Sequence, residues 1–209
     1  PPPKMHRYVY WFLLPLIHHR IISECNLLRC FQLAGTLPAM IAKIIFNKKF
    51  VFNYGYDYQQ FARIEGKPIQ SWIFALLKPI ALQLASGIIF KNQELLKTIS
   101  YKLKAKSIYL PNSVDASQFH PAPTSGEGIL FVGRLEPQKN LLALINAVSS
   151  ISSHQQLTII GKGSLKSKIQ NLAKKLNVRL NLIPSISHDL LPQVYNHASI
   201  FILPSFTEG

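Results

Sequence analysis

Between Gly128 and Ser205 short apolar runs alternate with stretches of helical spacing, and few architectures accept that pattern. The runs are GILFV, LTIIG, RLNLI and SIFILPS; between them lie a stretch from about Asn140, then SLKSKIQNLAKKL and HDLLPQVYNHA. Leu141, Leu144, Ile145 and Val148 repeat at i, i+3, i+4, i+7, as do Ile169, Leu172, Ala173 and Leu176. The strands are unbroken apolar runs, so the spacing predicts a parallel sheet covered on both faces by amphipathic helices. The first half follows the same plan less regularly: strand NLLRCF, helix LPAMIAKIIF, strand FVFN, turn YGYD, a helix from Trp72 to Ser86, strand GIIF, helix QELLKTISYKL and strand SIYLP. The fold class is α/β. PNSVDASQFHPAPTSGEG, rich in Pro, Ser and Gly, lacks apolar periodicity and reads as a linker. The expected domains are therefore residues 1–110 and 128–209, joined by 111–127. Two such sheets joined by a hinge enclose a cleft, and open α/β sheets bind ligands at the carboxyl ends of their strands.

Those carboxyl ends carry the chemistry. Gly133 and Arg134 close the strand ILFV, and Lys139 stands just before the next helix. A helix N-terminus favours an anion; Arg adds a planar fork for phosphate oxygens and Lys a mobile point charge. The natural tenant is a phosphate or diphosphate, although spacing alone leaves open that both are solvated loop charges. Gly161 and Gly163 follow the strand LTII, where their lack of side chain lets the backbone turn tightly and approach a ligand. Lys166 stands where a dinucleotide fingerprint needs its third glycine, and no Walker A lysine follows. An ordinary strand-to-helix turn therefore stays open there. None of the 9 acidic residues forms Asp-x-Asp, so charge developing on a departing diphosphate would be met by fixed cations rather than a carboxylate-held metal. Glu208 lies past the strand SIFILPS, again at a carboxyl end.

FVGRLEPQKN, LTIIGKGSLKSKI and ASIFILPSFTEG, in this order and spacing, resemble the C-terminal half of family 4 glycosyltransferases (glycosyl transferases group 1), and YLPNSVD resembles the linker that precedes it. The likeness covers about residues 107–209, and VFNYGYDY extends it more weakly into the first half. The resemblance implies the GT-B fold: two Rossmann-like parallel-sheet domains facing across a cleft, both incomplete here. The chain opens on Pro1 and stops in PSFTEG, where a turn should lead into a helix, and so reads as a fragment truncated at both ends and inactive by itself. By the same resemblance Arg134, Lys139 and Gly133 bind the donor diphosphate. Gly161, Gly163 and Glu208 serve the donor nucleotide and sugar, Glu208 being the first of a Glu-x7-Glu pair. Tyr54, Gly55 and Asp57 fall on the acceptor side, with Glu208 and Asp57 the catalytic candidates. Departures are Tyr54-Gly55 where many members have His-Gly, Ser113 for a usual Gly, and Pro184 near the base. The implied activity is retaining, metal-independent transfer of a hexosyl-type sugar from a nucleotide sugar to a glycan or lipid-linked acceptor, in cell-envelope polysaccharide or glycolipid synthesis, with no cofactor. The alternative within the same likeness is an inactive nucleotide-sugar-binding fragment.

Composition limits the rivals. The chain has 209 residues, 48% hydrophobic and 15% charged, with a formal charge of +14. A nucleic-acid binder would cluster basic residues with exposed aromatics, whereas Phe12, Phe46, Phe131 and Phe201 sit in apolar runs with core spacing, so no nucleic-acid partner is expected. Cys25 and Cys30 share one apolar stretch and read as core thiols of an intracellular protein, and with His18 and His19 they lack the spacing of a zinc site. WIFALLKPIALQLASGIIF has about the length of a membrane span, but Lys78, Pro79 and Gly87 divide it into a buried helix and a strand. YVYWFLLPLI is interrupted by Pro15 and lacks a cleavage site nearby. Lys4, His6, Arg7, His18, His19 and Arg20 flank Tyr8, Tyr10, Trp11, Phe12, Leu13, Leu14, Leu16 and Ile17. Cations around apolar bulk suit an anionic bilayer surface; a core helix covered by further chain is the alternative. The expected location is cytoplasmic, peripheral on the inner face of the plasma membrane.

Overall fold

The computed structural model describes residues 5–123, 126–151 and 155–208. They form two units that divide between Asn112 and Ser113. The division falls inside the segment read as a linker.

The first unit runs α1 (Arg7–Ile17), α2 (His19–Glu24), β1 (Leu27–Phe31), α3 (Thr36–Phe46), β2 (Lys49–Tyr54), α4 (Tyr58–Ile64), α5 (Pro68–Leu84), β3 (Gly87–Phe90), α6 (Gln93–Ile99) and β4 (Lys106–Tyr109). Its four strands are parallel, in the order β1-β2-β3-β4. Strand order that follows chain order, with right-handed crossovers, puts the connecting helices on one face. Phe50, Phe52 and Tyr54 of β2 and Ile88 and Phe90 of β3 turn to that face and make the core with Cys30, Leu33, Met40 and Leu82. Leu27, Phe31 and Ile108 remain exposed.

In this unit α2 was not anticipated, and α4 and α5 also differ from expectation. α4 was not legible: its seven residues bury only Tyr58 and Ala62, too short a stripe to declare a period. α5 begins at Pro68, four positions before Trp72, because proline fits a helix's first turn, where its missing N–H costs nothing. The apolar stretch does divide at Ser86 into helix and strand, and among the described residues no helix is long and apolar enough to cross a membrane.

The second unit runs β5 (Ile129–Val132), α7 (Leu141–Ser149), β6 (Leu157–Ile160), α8 (Lys166–Lys175), β7 (Leu180–Ile183), α9 (Leu191–His197) and β8 (Ile200–Phe201). Its sheet is parallel in the order β7-β6-β5-β8. The chain builds outward from β5 to β7, then returns to the far side of β5. By the handedness rule α7 and α8 cover one face and α9 the other. The reversal makes a topological switch point between β5 and β8, the place where open α/β sheets leave a crevice at their carboxyl ends. The core joins Ile129 and Phe131 to Leu141, Leu144, Ile145, Leu157, Ile159 and Ile169.

Much of the Pro/Ser-rich segment is docked on this unit. Asp115 accepts hydrogen bonds from the Ser117 N–H (2.9 Å) and hydroxyl (2.7 Å). The Asn196 amide of α9 accepts from Ala122 N–H and donates to His120 O, both at 3.1 Å. The Phe119 ring packs edge-on against His188, 5.4 Å between centroids. Turn-forming composition identified the local bends; the partners on α9, more than 70 positions later, lay outside any local pattern.

Candidate functional site

The loop leaving β5 is anchored by Leu135, which is fully buried. Its N–H donates to Lys162 O and its carbonyl accepts from Leu165 N–H, both at 2.9 Å. With the middle of the loop pinned inward, Arg134 on one side is exposed. On the other side Pro137–Lys139 form a 3-10 turn that ends at Asn140 with φ 53°. Asparagine tolerates that left-handed backbone, so the chain can turn sharply into α7 just after Lys139.

The segment after β8 returns to this loop. Phe206 N–H donates to Gln138 O at 2.9 Å, and the Gln138 side-chain amide donates to Thr207 O at 2.5 Å. This places the Glu208 carboxylate 2.5 Å from the Lys139 ammonium. Lys139 is mostly covered, its side chain 13% exposed against 43% for Glu208, so it is not a freely solvated loop charge. Burial by itself would raise the Glu208 pKa. The hydrogen bond of Lys139, the neighbouring Ser205 hydroxyl, and the charges of Lys139 and Arg134 outweigh burial and hold it below the ordinary carboxylate value. Arg134 reaches Gln138 Oε1 at 3.4 Å. Arg134, Lys139 and Glu208 thus meet at the switch point: a planar cation, a point cation and a carboxylate on one scaffold.

Gly133, Gly161 and Gly163 stand in the same place, for a reason the sequence did not disclose. A Cβ on Gly161 would lie 1.8 Å from Gly133 O, and one on Gly163 would lie 2.4 Å from Leu135 O. The space their missing side chains open is filled by the β5 loop of the same chain. Glu136 completes the junction, accepting from the Ser164 N–H (3.1 Å) and hydroxyl (2.7 Å). Neither Glu136 nor Gln138 was singled out from sequence. Each earns its role from a partner 28 or 69 positions away.

The remaining candidates lie in the first unit. Tyr54 is a correction to the acceptor-side expectation for its side chain. It has no exposed surface, because its ring sits among Phe52, Tyr58 and Phe90 at centroid distances of 5.4–5.7 Å. Burial, with smaller effects from Asp57 and Tyr58, pushes its phenol well above the usual range. Gly55 follows in the connecting turn. Asp57 caps α4, its Oδ1 accepting from Gln59 N–H (2.9 Å) and Gln60 N–H (3.1 Å), and its Oδ2 pairs with Lys78 of α5 at 3.2 Å. Burial opposes ionisation of Asp57, but the Gln60 N–H, Lys78 and the Gln59 N–H together keep its pKa low. Its carboxylate is committed to holding the α4–α5 pair. The thiols and histidines do not converge: His18 bonds the Tyr10 hydroxyl at 3.0 Å and His19 bonds Leu16 O at 3.1 Å, while burial raises the Cys30 thiol to about 11.

Comparison with known proteins bears on the second unit above all. The profile of the family described as glycosyl transferases group 1 matches residues 114–209. An uncharacterized glycosyltransferase of Methanocaldococcus jannaschii is 32% identical over 120 residues, 57% of this chain and 32% of that protein. The UDP-Gal:alpha-D-GlcNAc-diphosphoundecaprenol alpha-1,3-galactosyltransferase of Escherichia coli is 30% identical over 119 residues, 48% of this chain and 31% of that protein. The aligned part of the chain thus spans about a third of the length of these curated relatives. Among solved structures, sucrose-phosphate synthase from Thermosynechococcus elongatus superposes with a TM-score of 0.81 at 17% identity, over 100% of this chain and 58% of its own. Anabaena HepE in complex with UDP-glucose gives 0.73 at 14% identity, over 93% and 58%. At these identities the likeness carries the fold, GT-B, and nothing finer.

Proposed function

We propose, from the match of residues 114–209 to the glycosyl transferases group 1 family, that the protein containing this chain moves a sugar from a nucleotide sugar to a glycan or lipid-linked acceptor. The observation that carries the reading is the meeting of Arg134, Lys139 and Glu208 at the switch point of the second sheet. When the bond between sugar and diphosphate breaks, negative charge grows on the departing phosphate. A guanidinium and an ammonium already in place stabilise that charge without reorganising. Glu208, beside Lys139, is placed to accept hydrogen bonds from sugar hydroxyls, which gives the site a preference for a sugar-bearing diphosphate over a bare one. Fixed cations make a divalent metal unnecessary for this step, and retention of configuration is carried over from the family likeness. The E. coli relative's named acceptor is a diphosphoundecaprenol-linked sugar, which favours a lipid-linked acceptor and work in cell-envelope polysaccharide or glycolipid synthesis. The test is turnover by the full-length protein with UDP-, GDP- and ADP-sugars, with and without EDTA. Activity that survives EDTA supports the fixed-cation site. Activity lost to EDTA and restored by Mn²⁺ or Mg²⁺ contradicts it, and donor binding without turnover favours an inactive sugar-nucleotide binder.

A lipid-linked acceptor asks for a place at the cytoplasmic membrane face, and α1 with α2 offers one. Val9, Phe12, Leu16, Ile17 and Ile21 are exposed, with His6, His19 and Arg20 exposed beside them; Lys4 and the side chains of Arg7 and Tyr8 lie outside the described residues. Tyr10, Trp11, Leu13 and Leu14 are half-buried, and α1 packs on α3. Each basic residue near an anionic surface contributes about 1 kcal/mol, an attraction that salt screens. The full-length protein is expected to sediment with anionic liposomes at low salt and to leave them at high salt. If it stays in the supernatant, the surplus positive charge serves a soluble anionic substrate instead.

A further inference from the structure

We propose that Gln138 is a positioning residue for the donor site, setting where Glu208 and Arg134 stand; the proposal rests on the donor-site reading above. Gln138 is 6% exposed, so it lies beneath the site rather than on it. Its side-chain amide is used at both ends, Nε2 donating to Thr207 O at 2.5 Å and Oε1 accepting from Arg134 Nη2 at 3.4 Å. Its backbone carbonyl takes the Phe206 N–H at 2.9 Å. A primary amide both donates and accepts, and here it joins the returning segment to the loop that carries the two cations. Upstream that segment is tied at Ile202, whose N–H donates to Leu130 O at 2.9 Å and whose side chain packs on the core. β8 is two residues long, and Phe206 is exposed, so beyond Ile202 the segment's approach to Lys139 is not enforced by burial of its own apolar side chains. The hydrogen bond to Thr207, the residue before Glu208, is what aims the carboxylate.

The substitution Gln138→Met keeps length and apolar bulk while removing both hydrogen bonds. Two measurements on the full-length protein decide the matter. In the unliganded protein, the Glu208 carboxyl is titrated by carbon-detected NMR. It is expected to titrate below the ordinary range in the wild type, and to move up toward it in Gln138→Met as Lys139 loses contact. In parallel, affinity is measured for a nucleotide sugar and for its nucleoside diphosphate. The sugar nucleotide is expected to weaken by about tenfold, the equivalent of one lost hydrogen bond, the bare diphosphate by less. In a Glu208→Gln background the preference for the sugar should already be gone, and adding Gln138→Met should not reduce it further. An unchanged Glu208 titration in folded Gln138→Met overturns the proposal, as does a loss of sugar preference that persists undiminished in the Glu208→Gln background. Should Gln138→Met not fold, Gln138→Glu keeps an acceptor for Arg134 and loses the donor to Thr207; equal loss of sugar preference there supports the proposal, and wild-type preference overturns it. A wild type that binds no nucleotide sugar sinks the donor reading, and the titration alone then decides whether Gln138 places Glu208.

Discussion

Replacing Lys139 by Ala in the full-length protein is expected to lower turnover by on the order of 10², the loss typical of removing one preorganised donor from a developing anion. Arg134→Ala should lose a similar factor. The size follows from placement: two unit charges near 4 Å interact by about 4 kcal/mol at a surface-like effective dielectric, before desolvation is subtracted. Lys139 is the better-held of the two, being mostly covered and paired with Glu208, whereas Arg134 is exposed and bonded to Gln138. The Lys139–Glu208 pair adds a contrast of sign. In the unliganded protein the carboxylate already satisfies the ammonium, so an incoming diphosphate must share it. Glu208→Gln should therefore bind bare nucleoside diphosphate at least as tightly as the wild type while turning over nucleotide sugar far more slowly. Lys139→Ala should weaken both. Steady-state kinetics with binding isotherms for the three variants separates these cases. Near wild-type turnover in both Arg134→Ala and Lys139→Ala would return them to loop charges with no part in the reaction.

The parallel sheet of the second unit was legible because α7 and α8 carry a helical period and the strands between them are unbroken apolar runs. Leu141, Leu144, Ile145 and Val148, expected on one face, are all buried, and the three long strands are paired in parallel. Arg134, Lys139 and Glu208 could be placed at strand ends for the same reason, and a family likeness joined them. What stayed illegible was whatever depends on two loops meeting. Gln138 stands between Pro137 and Lys139 in a stretch with no period, and only the return of residues 206–208 buries it. Tyr54 failed in the opposite direction. As the last residue of β2 before a glycine it reads as a strand-end residue at a cleft mouth, yet its side chain falls on the helix-covered face with Phe50 and Phe52. Strand alternation assigned it to that face; what sequence alone could not supply was that the helix layer reaches so far along β2.

The junction of the two loops makes Gly161→Ala the substitution with the largest expected cost in stability. An alanine Cβ there would sit 1.8 Å from Gly133 O and 2.9 Å from Gly133 C, a distance no rotamer can relieve because both partners are backbone. One of the two loops must move by more than an ångström. The loops are held by Gly133 N–H to Ile160 O, Leu135 N–H to Lys162 O and Leu165 N–H to Leu135 O, each at 2.9 Å, and Gly161 N–H itself donates to Ile183 O at 2.9 Å. Overpacking a fitted interior costs about 1–3 kcal/mol, and each backbone hydrogen bond broken without replacement adds about 1 kcal/mol or more. The expected loss is about 3–5 kcal/mol, within the range reserved for strain and burial defects. For a unit of this size that corresponds to a fall in melting temperature of roughly 12–40 °C, at some 4–8 °C per kcal/mol. Gly163→Ala, facing Leu135 O at 2.4 Å and Leu135 N at 2.7 Å, should behave alike. Gly35→Ala is the control: nothing lies within 4 Å of its added Cβ and its φ is −71°, so alanine fits and the change should stay within about 0.5 kcal/mol. Because the Gly133 loop carries Arg134 and Lys139, any Gly161→Ala protein that remains folded at low temperature should also bind nucleoside diphosphate more weakly, although residue 161 need not touch it. A Gly161→Ala melting curve matching that of Gly35→Ala would mean that the β5 and β6 loops are not in contact in solution, and the placement of Arg134 and Lys139 would lose its support.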